Sequence, residues 1–412
     1  MPRSTTTPRI PSLLLAALLL LLLLAGSSTA APRPPPPAVG HPFHALQSVP
    51  NGLALSPVIT GLYANSSAAA QIAIHDVNGN PSWTWSAADV AAQADLPANL
   101  LACLQTPTAV PEAKWADGGR AVLAIYNAAA VMIRRAPGDA SQDKRVLFGV
   151  CLQQGNMGNT HSLELVPDGK LAVATTTSQM DATIHVFNVS AGLQADPQPV
   201  QSLDKLPGVH GLVWDDRASL LWGSGSSSDP SGATPGVSSA PTLNGYRYTR
   251  GAFSTQPTYS HNVSAALLLS TEWSGTQYDG WWDGSHDMTG VPGRRQLLLS
   301  TDTDLHVFDI DSQTFASGAQ VASNYLPGFM PVDSRVGSDG KSLPRSDIKS
   351  LSIDGNLNVL YVQAAWQGVT SYQINLLQDG KLQAGLTYPQ ELYRSRWFAD
   401  TPTWPKARLP SS

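Results

Sequence analysis

Short apolar runs separated by turn residues make up most of this chain. Runs of about four to eight residues, rich in Val, Leu, Ile and aromatic residues, are bounded by Gly, Asp, Ser or Pro, which is typical of β-strands joined by tight turns. The 34 Gly and 32 Pro residues supply those turns. Helical periodicity is nearly absent, and the clearest predicted helix is the short segment 87–96. The pattern predicts an all-β fold.

One order of elements recurs along the chain: a strand, a turn, a second strand, a loop and a third strand. Segment 161–190 begins with a histidine, turns at Asp168-Gly169 and ends in an apolar third strand. Segments 210–250 and 286–311 also begin with a histidine, and in each the second strand is predicted to start nine residues later. The recurrence indicates an internal structural repeat.

Two further units carry a carboxylate, Glu112 or Asp347, at the position of the histidine. The spacing from Glu112 to His161 is 49 residues, and the spacing from His161 to His210 is also 49. The later spacings, 76 and 61 residues, are longer because Gly-, Ser- and Thr-rich loops are inserted. The units therefore keep their order while their loops vary in length.

A unit of three or four strands that recurs about every 40–60 residues is typical of a β-propeller blade. A closed ring of blades buries both faces of each sheet and protects the sheet edges. Five units are clear, segment 61–85 supplies a sixth, and segment 391–404 is expected to close the ring with the N-terminal strands. We predict one β-propeller domain over residues 45–405, with six blades or, alternatively, seven. An irregular pair of β-sandwiches is the alternative fold.

The first 30 residues are predicted to be a secretory signal peptide. The features that indicate it are a basic start, an unbroken run of Leu and Ala, and small residues at the cleavage site: Arg3, Arg9, Leu13 to Leu24, Ser28 and Ala30. The apolar run is shorter than the roughly 20 residues of a transmembrane helix, so an uncleaved anchor is the weaker alternative. We therefore expect a secreted, extracellular protein.

Residues 31–44 are rich in Pro and are predicted to form a spacer, and residues 406–412 a tail. Without Arg3 and Arg9 the chain has 23 basic and 30 acidic residues, a net charge of −7. No basic cluster remains, which argues against nucleic acid and anionic membrane surfaces as partners. We expect a monomer that contacts no membrane after signal cleavage.

Two cysteines and three glycosylation sequons bear on the compartment. Cys103 and Cys151 either pair in an oxidising compartment or stay as buried free thiols, and no C-x-x-C pair indicates a zinc site. Asn65, Asn188 and Asn262 begin N-x-S sequons. These asparagines are candidate glycan carriers in a eukaryotic secretory pathway, although such sequons also arise by chance.

The repeated positions Glu112, His161, His210, His286 and Asp347 have a shared location in a propeller. The first strand of each blade lines the central channel, so these residues are expected to form a ring at one mouth. Three neutral imidazoles beside carboxylates suit Zn²⁺, Mn²⁺ or Fe²⁺, and an open metal position would activate water or polarise a substrate. The alternatives are histidines that hydrogen-bond neighbouring blades, or a ligand pocket without metal.

This arrangement resembles that of the oligogalacturonate lyases, propeller enzymes in which several ring histidines hold one metal. The carotenoid oxygenases hold iron in a similar way but with four histidines, whereas this chain offers three at the repeated position.

Two charged residues beside the ring positions are further candidates for ligand binding. Asp287 directly follows His286 and could orient a neighbouring group. Lys349 lies on the same strand face as Asp347. It would either bind an acidic substrate or pair with Asp347 or Glu112.

The loop before His286 contains adjacent aromatic residues, Trp281 and Trp282. Aromatic side chains near a mouth suit stacking on sugar rings, and the alternative is a hydrophobic plug between blades. No G-x-S-x-G elbow and no phosphate-binding G-x-x-x-x-G-K-[ST] loop is present in the sequence. Nucleophilic catalysis by serine and nucleotide binding therefore have little support.

Four motifs begin the blades: H-S-x-E-L at 161, H-G-L-V-W-D at 210, H-D at 286 and D-I-K-S at 347. In their order and spacing they resemble a family of secreted bacterial and eukaryotic proteins defined only as a domain of unknown function. The resemblance covers roughly residues 110–405 and implies a propeller and a secreted context, but no activity. Two hypotheses follow for function. One is a metal-dependent lyase or hydrolase of carbohydrate or uronate. The other is a non-catalytic propeller that binds a glycan or a protein.

Overall fold

Antiparallel β-sheets form nearly all the regular structure of the protein. The computed structural model describes residues 56–106, 109–152, 157–176, 182–204, 206–227, 240–263, 284–330, 346–365 and 368–410. All of these residues belong to one compact unit, Leu46–Ser412. Their strands group into six units, here called blades 1 to 6 in chain order.

Blade 1 contains β1 (Val58–Leu62), β2 (Gln71–His75) and β3 (Pro81–Trp85). Blade 2 contains β4 (Glu112–Ala116), β5 (Ala121–Tyr126), β6 (Ala129–Arg134) and β7 (Val146–Cys151). Blade 3 contains β8 (Thr160–Val166), β9 (Lys170–Thr175), β10 (Ala182–Asn188) and β11 (Gln201–Asp204). Blade 4 contains β12 (Gly211–Asp215), β13 (Leu220–Ser226), β14 (Pro241–Thr249), β15 (Ala252–Phe253) and β16 (Tyr259–Asn262). Blade 5 contains β17 (Ser285–Gly290), β18 (Gln296–Thr301), β19 (Leu305–Asp309) and β20 (Thr314–Ser317). Blade 6 contains β21 (Ile348–Ile353), β22 (Val359–Gln363), β23 (Ser371–Gln378) and the first part of β24 (Lys381–Trp397).

The last strand, β24, joins blade 6 to blade 1. Its first part pairs with β23, starting where Lys381 lies opposite Gln378. Its last part pairs with β1, with Trp397 opposite Val58. This 17-residue strand is therefore the outer strand of blade 6 and the inner strand of blade 1. The prediction that the chain closes its ring with the N-terminal strands is confirmed.

The six inner strands contact one another in a closed cycle, in the order β24, β4, β8, β12, β17, β21 and back to β24. Four-stranded sheets arranged in this way around an axis define a β-propeller, so the predicted fold class is confirmed. Two packed sandwiches would not give this cycle of inner strands. Six blades are present among the described residues, and the blade count of the whole chain stays a prediction.

Hydrophobic clusters lie between each pair of neighbouring blades. In β5, Val122 and Ala124 pack towards blade 1, whereas Leu123 and Ile125 pack towards blade 3. Phe148 of blade 2 meets Phe187 of blade 3 with their ring centroids 5.8 Å apart. Because both faces of each sheet are buried, the strands are nearly continuous apolar runs rather than alternating ones.

The helix predicted over 87–96 is wrong. A single 3₁₀ turn covers Ala87–Val90, and an α-helix, α1, follows at Ala98–Gln105. Pro97 explains the difference, because a proline disfavours helical backbone in the residue before it and is tolerated at the start of a helix. In the described part of the chain, the other helical elements are α2 (Ala319–Tyr325) and 3₁₀ turns at Asp117–Gly119 and Val189–Ala191.

The signal peptide predicted over 1–30 and the spacer over 31–44 lie outside the described residues. Within the described ranges no helix has the length and apolar character needed to cross a membrane. The sequon asparagines Asn65 and Asn262 are exposed, and Asn188 is half-buried. Their glycosylation stays a prediction.

Cys103 of α1 and Cys151 at the end of β7 form a disulfide, with their Cα atoms 5.9 Å apart. Of the two alternatives for these cysteines, the disulfide is confirmed. The bond fastens α1 to the outer strand of blade 2, where Leu100 and Leu104 of the helix are buried.

Replacing both cysteines, Cys103→Ala with Cys151→Ala, should lower the free energy of unfolding by about 2–4 kcal/mol, because the bond restricts the unfolded chain. Urea unfolding followed by circular dichroism measures this loss. A reductant should destabilise the wild type by a similar amount and leave the double variant unchanged. Equal stability of the oxidised and reduced wild type would contradict the prediction.

Candidate functional site

The inner strands begin at one end of the central channel and end at the other. We call the first end the histidine mouth, because it carries His161, His210 and His286. We call the opposite end the tail mouth, because residues 399–410 lie across it. The space between the two mouths is filled by buried charged side chains, described here from the axis outwards.

The guanidinium of Arg394, in β24, lies on the axis and is fully buried. Nη1 donates to Glu112 Oε2 at 2.8 Å, and Nη2 donates to the carbonyl oxygen of His210 at 2.8 Å. The second N–H of Nη1 donates to the carbonyl oxygen of His161, and the second N–H of Nη2 to that of His286. Nε donates to the carbonyl oxygen of Lys349. A guanidinium has five N–H groups, and each one reaches a different blade, from 2 to 6. Arg394 therefore ties the inner strand of blade 1 to all the others.

Arg396 lies two residues after Arg394 in β24, closer to the tail mouth, and forms a second layer of buried charges. It donates to both carboxylate oxygens of Glu112, at 2.7 and 2.8 Å, and to those of Asp287, at 2.7 and 3.1 Å. Burial acts to raise the pKa of Glu112, but Arg396, Lys114 and Arg394 together hold that pKa at about 2. Glu112 and Asp287, both predicted to bind ligand, thus have internal partners.

Lys114 and Glu164 form a third layer next to the tail mouth. Lys114 Nζ donates to Glu164 Oε2 at 3.0 Å, to Ser162 Oγ at 3.2 Å and to the carbonyl oxygen of Leu212 at 3.0 Å. Lys406 of the tail donates to the other Glu164 oxygen at 3.0 Å. Together the three layers make the channel a packed charged core.

The three ring histidines adjoin one another at the histidine mouth, as their repeated position predicts. The ring centroids of His161 and His210 are 4.6 Å apart, and those of His210 and His286 are 5.6 Å apart. His161 Nε2 lies 2.9 Å from Asn159 Oδ1, and His210 Nδ1 lies 2.8 Å from the carbonyl oxygen of Gly208. Both acceptors select the tautomer in which the bonded nitrogen carries the proton.

His161 and His210 are neutral at neutral pH. Burial, and then the charges of His286 and Arg394, lower the pKa of His210 to about 3. Burial, and then neighbours that include His210 and Arg394, lower the pKa of His161 well below its ordinary value. The free lone pairs are on His161 Nδ1, a buried atom without a hydrogen-bond partner, and on His210 Nε2. The half-buried His210 ring offers a hydrogen-bond acceptor to a ligand, whereas His161 Nδ1 is covered by the protein.

His286 is part of a buried chain of titratable groups. Its Nε2 lies 2.6 Å from Asp302 Oδ1 and 2.7 Å from Lys349 Nζ, and its Nδ1 lies 3.4 Å from the Tyr393 hydroxyl. Lys349 Nζ also donates to Asp347 Oδ1 at 3.3 Å. Burial acts to raise the pKa of Asp302, but His286 and Lys349 lower it overall. Burial raises the pKa of Tyr393, which stays a protonated phenol.

Within the described ranges, the group of side chains placed to hold a metal ion consists of His286, Asp302 and Asp347, with ligand atoms within 4.8 Å of one another. The Lys349 ammonium contacts all three, at 2.7, 3.8 and 3.3 Å. It stands where a metal would bind, so this donor set fits a divalent ion only if Lys349 moves away. A metal on His161, His210 and His286 stays a prediction.

The structure brings Asp347 and Lys349 to the histidine mouth, where sequence reasoning expected them. Trp281 and Trp282 lie outside the described residues. Sequence reasoning missed Tyr393, Arg394, Arg396 and Asp302. A signal for the arginines was the R-S-R motif at 394–396, because residues two apart in a strand share a face.

No family model and no curated protein matches this chain. Among solved structures, it is similar to a protein of unknown function from Bacteroides caccae, with 11% identity over 83% of this chain and 98% of the other and a TM-score of 0.46. It is also similar to the β-propeller domain of Cps50 (Swd1) from Myceliophteria thermophila, with 12% identity over 82% and 88% and a TM-score of 0.41. Hydrazine synthase from Kuenenia stuttgartiensis shows 9% identity over 81% and 80% and a TM-score of 0.43. The resemblance to a domain of unknown function stays a prediction.

Arg394→Met should lower the free energy of unfolding by about 3–5 kcal/mol, because it removes one of the cations paired with Glu112 and leaves four buried carbonyl groups without their donor. Arg145→Met is the control, since this side chain is 38% exposed and pairs with Asp95, which is 58% exposed. The control should cost less than about 1 kcal/mol. Urea unfolding measures the free energy of unfolding of both variants. A similar decrease in the two would contradict the central role of Arg394.

Stability should fall as the pH decreases from about 6.5 towards 3. The folded pKa of His210 and His306 is about 3 against an ordinary value of 6.5, and burial is the first cause in both. The unfolded chain therefore binds protons that the folded chain does not. Glu112 adds a further loss between its ordinary pKa of 4.5 and its folded value of about 2. Urea unfolding at several pH values should show a shallower dependence for His306→Asn than for the wild type, and equal slopes would contradict this account.

Proposed function

We propose that the histidine mouth is an active site for acid–base chemistry on a carbohydrate, with an acidic sugar as the preferred substrate class. The observation that carries this proposal is the buried chain of Lys349, His286 and Asp302 next to two neutral imidazoles. The pKa values of Asp302, His161 and His210 are all shifted, and a gathering of groups with shifted pKa values is typical of functional sites. The proposed reaction class is elimination or hydrolysis.

His286 is the base in this proposal. Asp302, 2.6 Å from Nε2, orients the imidazole and balances the charge that forms when the ring takes a proton. His161 and His210 are held neutral, and His210 Nε2 serves as an acceptor for a substrate hydroxyl group. The division of roles follows from the neighbours of each ring, because only His286 has a carboxylate partner of its own.

Lys349 and Tyr393 complete the proposed elimination. The Lys349 ammonium pairs with the substrate carboxylate and stabilises negative charge on the adjacent carbon. His286 removes the proton from that carbon, a carbon–carbon double bond forms, and the bond to the leaving sugar oxygen breaks. The Tyr393 hydroxyl gives its proton to that oxygen. The His286 imidazolium, 3.4 Å away, then returns a proton to Tyr393, so both groups recover their starting states.

Non-catalytic glycan binding is the second candidate function. It is favoured by the low pKa of His161 and His210, which makes these rings poor proton acceptors but good acceptors of hydrogen bonds from hydroxyl groups. A protein that only bound sugar would use the same mouth without turnover. In both cases the Cys103–Cys151 disulfide supports an oxidising compartment outside the cell.

His286→Gln and Tyr393→Phe should each lower the turnover of a uronate oligosaccharide by about 10²–10⁴-fold, because each removes a proton-transfer group. The matched controls are His75→Gln and Tyr388→Phe, since these two residues form a similar His–Tyr pair in the blades, 2.6 Å apart. The controls should keep wild-type turnover. The ultraviolet absorbance of the unsaturated product reports elimination, and new reducing ends report hydrolysis.

Isothermal titration with the same oligosaccharides separates the two functions. Binding that depends on His161 and His210, without turnover by the wild type, would establish the glycan-binding alternative. The absence of binding across neutral and acidic oligosaccharides would overturn both. Elemental analysis of the purified protein tests the metal: a stoichiometric divalent ion that is lost in His286→Gln would replace Lys349 as the cation of the site.

A further inference from the structure

The C-terminal tail closes the tail mouth, at the opposite end of the channel from the site proposed above. Trp404 packs on Gly290, where a Cβ atom would collide with the indole, and Trp404 Nε1 donates to the carbonyl oxygen of Val291 at 3.1 Å. Further along, the backbone N–H of Leu409 donates to Asp117 Oδ1 at 3.0 Å. The tail is therefore fastened to blades 5 and 2.

A cavity of about 50 Å³ remains between the tail and the ends of the inner strands. The lining residues used here are Lys114, Trp115, Trp214, Arg396, Trp404 and Lys406. One water molecule needs roughly 10–15 Å³ of cavity volume, so the cavity has room for about four water molecules. It therefore fits a ligand of about four or five non-hydrogen atoms.

In the charged network around this cavity, the side chains of the cations are more exposed than those of the carboxylates. The side-chain exposures are 20% for Lys406, 10% for Arg396 and 6% for Lys114, against 0% for Glu112, 0% for Asp287 and 2% for Glu164. The three cations line the cavity, whereas the three carboxylates do not. The carboxylate of Asp400 lies behind the wall, where it accepts from Trp115 Nε1 at 2.9 Å.

Two of these cations keep N–H groups to spare. Lys406 Nζ has three N–H groups, one of which donates to Glu164. Arg396 Nη1 has two N–H groups, one of which donates to Asp287. The described residues provide no further acceptor for them. The tryptophan N–H groups point elsewhere, since Trp214 bonds to Asp216 and Trp404 to Val291. The cavity thus combines cationic donors with aromatic walls.

The charged network that ends at this cavity has one positive charge in excess. Its cations are Arg394, Arg396, Lys114 and Lys406, and its carboxylates are Glu112, Asp287 and Glu164. The opposite excess, Asp302 and Asp347 against Lys349, lies at the histidine mouth, at the other end of the channel. A buried charge is balanced best by a charge close to it, because the interaction weakens with distance. A single small anion in the cavity would neutralise the network.

We propose that the cavity at the tail mouth is a binding site for a small oxyanion. The anion accepts hydrogen bonds from Lys406 and from Arg396 Nη1, and the tryptophans shield it from water. The ligand is either a tetrahedral inorganic anion, such as phosphate, or the carboxylate of a small acid. Because Lys406 belongs to the tail and Arg396 to the inner strand of blade 1, the bound anion also fastens the tail to the channel.

Isothermal titration of the full chain with inorganic phosphate, and separately with acetate, tests this site at constant ionic strength. We expect a Kd of about 1 mM for at least one of them, since so small a ligand has few atoms with which to gain affinity. Lys406→Met should weaken binding tenfold or more. Arg408→Met is the matched control: it removes the same charge two residues away, and its side chain is 51% exposed and pairs with Asp400. It should bind as the wild type does.

The preference between the two ligands identifies the source of the anion. Binding of phosphate alone assigns the site to inorganic oxyanions, and binding of acetate alone assigns it to carboxylates. The proposal would be overturned if neither phosphate nor acetate bound the wild type. It would also be overturned if Lys406→Met and Arg408→Met lowered the affinity equally. Lys406→Arg retains charged donors and should keep most of the affinity, which separates loss of the site from a folding defect.

Hydrogen exchange locates the bound anion independently of any enzymatic activity. The anion should slow exchange of backbone amides in 401–409 and leave those of 208–212, at the start of β12, unchanged. Slowing at the histidine mouth instead would place the anion there and exclude the tail cavity. The result does not depend on whether the histidine mouth is catalytic.

Discussion

The contacts of Arg394 are the constraint on which the rest of this propeller depends. Blade 1 supplies the guanidinium, and each of the other five blades supplies one acceptor. A guanidinium has five N–H groups, so a ring of six described blades uses all of them on one axis. Buried ion pairs contribute little net stability against apolar replacements, but removing one partner is costly. Arg394 therefore matters most for the arrangement of the blades, because it is satisfied only when all the inner strands are in place.

The charges around that hub differ between the two mouths, and the difference bears on function. At the histidine mouth, two carboxylates, Asp302 and Asp347, share the single cation Lys349. At the tail mouth the cations are in excess by one. The two imbalances have opposite signs and cancel over the packed core as a whole, and its filled interior keeps the two ends apart.

Most of the fold, but only part of the site, could be predicted from the sequence. The repeated strands were accessible because each sheet is buried on both faces, which makes its strands distinct apolar runs. The ring position of the histidines followed from the repeat. The roles of Arg394 and Lys349 could not be predicted from the repeat, because their partners are distant in the sequence and meet only when the ring closes. Glu112 lies 282 residues from Arg394, and His286 lies 63 residues from Lys349. A spacing rule that finds metal ligands cannot show that a lysine ammonium occupies the space between them.

Ring closure and assembly of the site are the same structural event. β24 carries Tyr393 at the histidine mouth, Arg394 on the axis and Arg396 above the tail cavity, within one short stretch of strand. Without this strand, Glu112 and Asp287 would lose the guanidinium groups of Arg394 and Arg396, and Lys114, 3.8 Å from Glu112, would be left beside two buried carboxylates. Burial of carboxylates with so few partners is energetically costly. A chain with β24 undocked would therefore lose the packed charge core and both mouths together. The chemistry proposed for either mouth is available only to the closed ring.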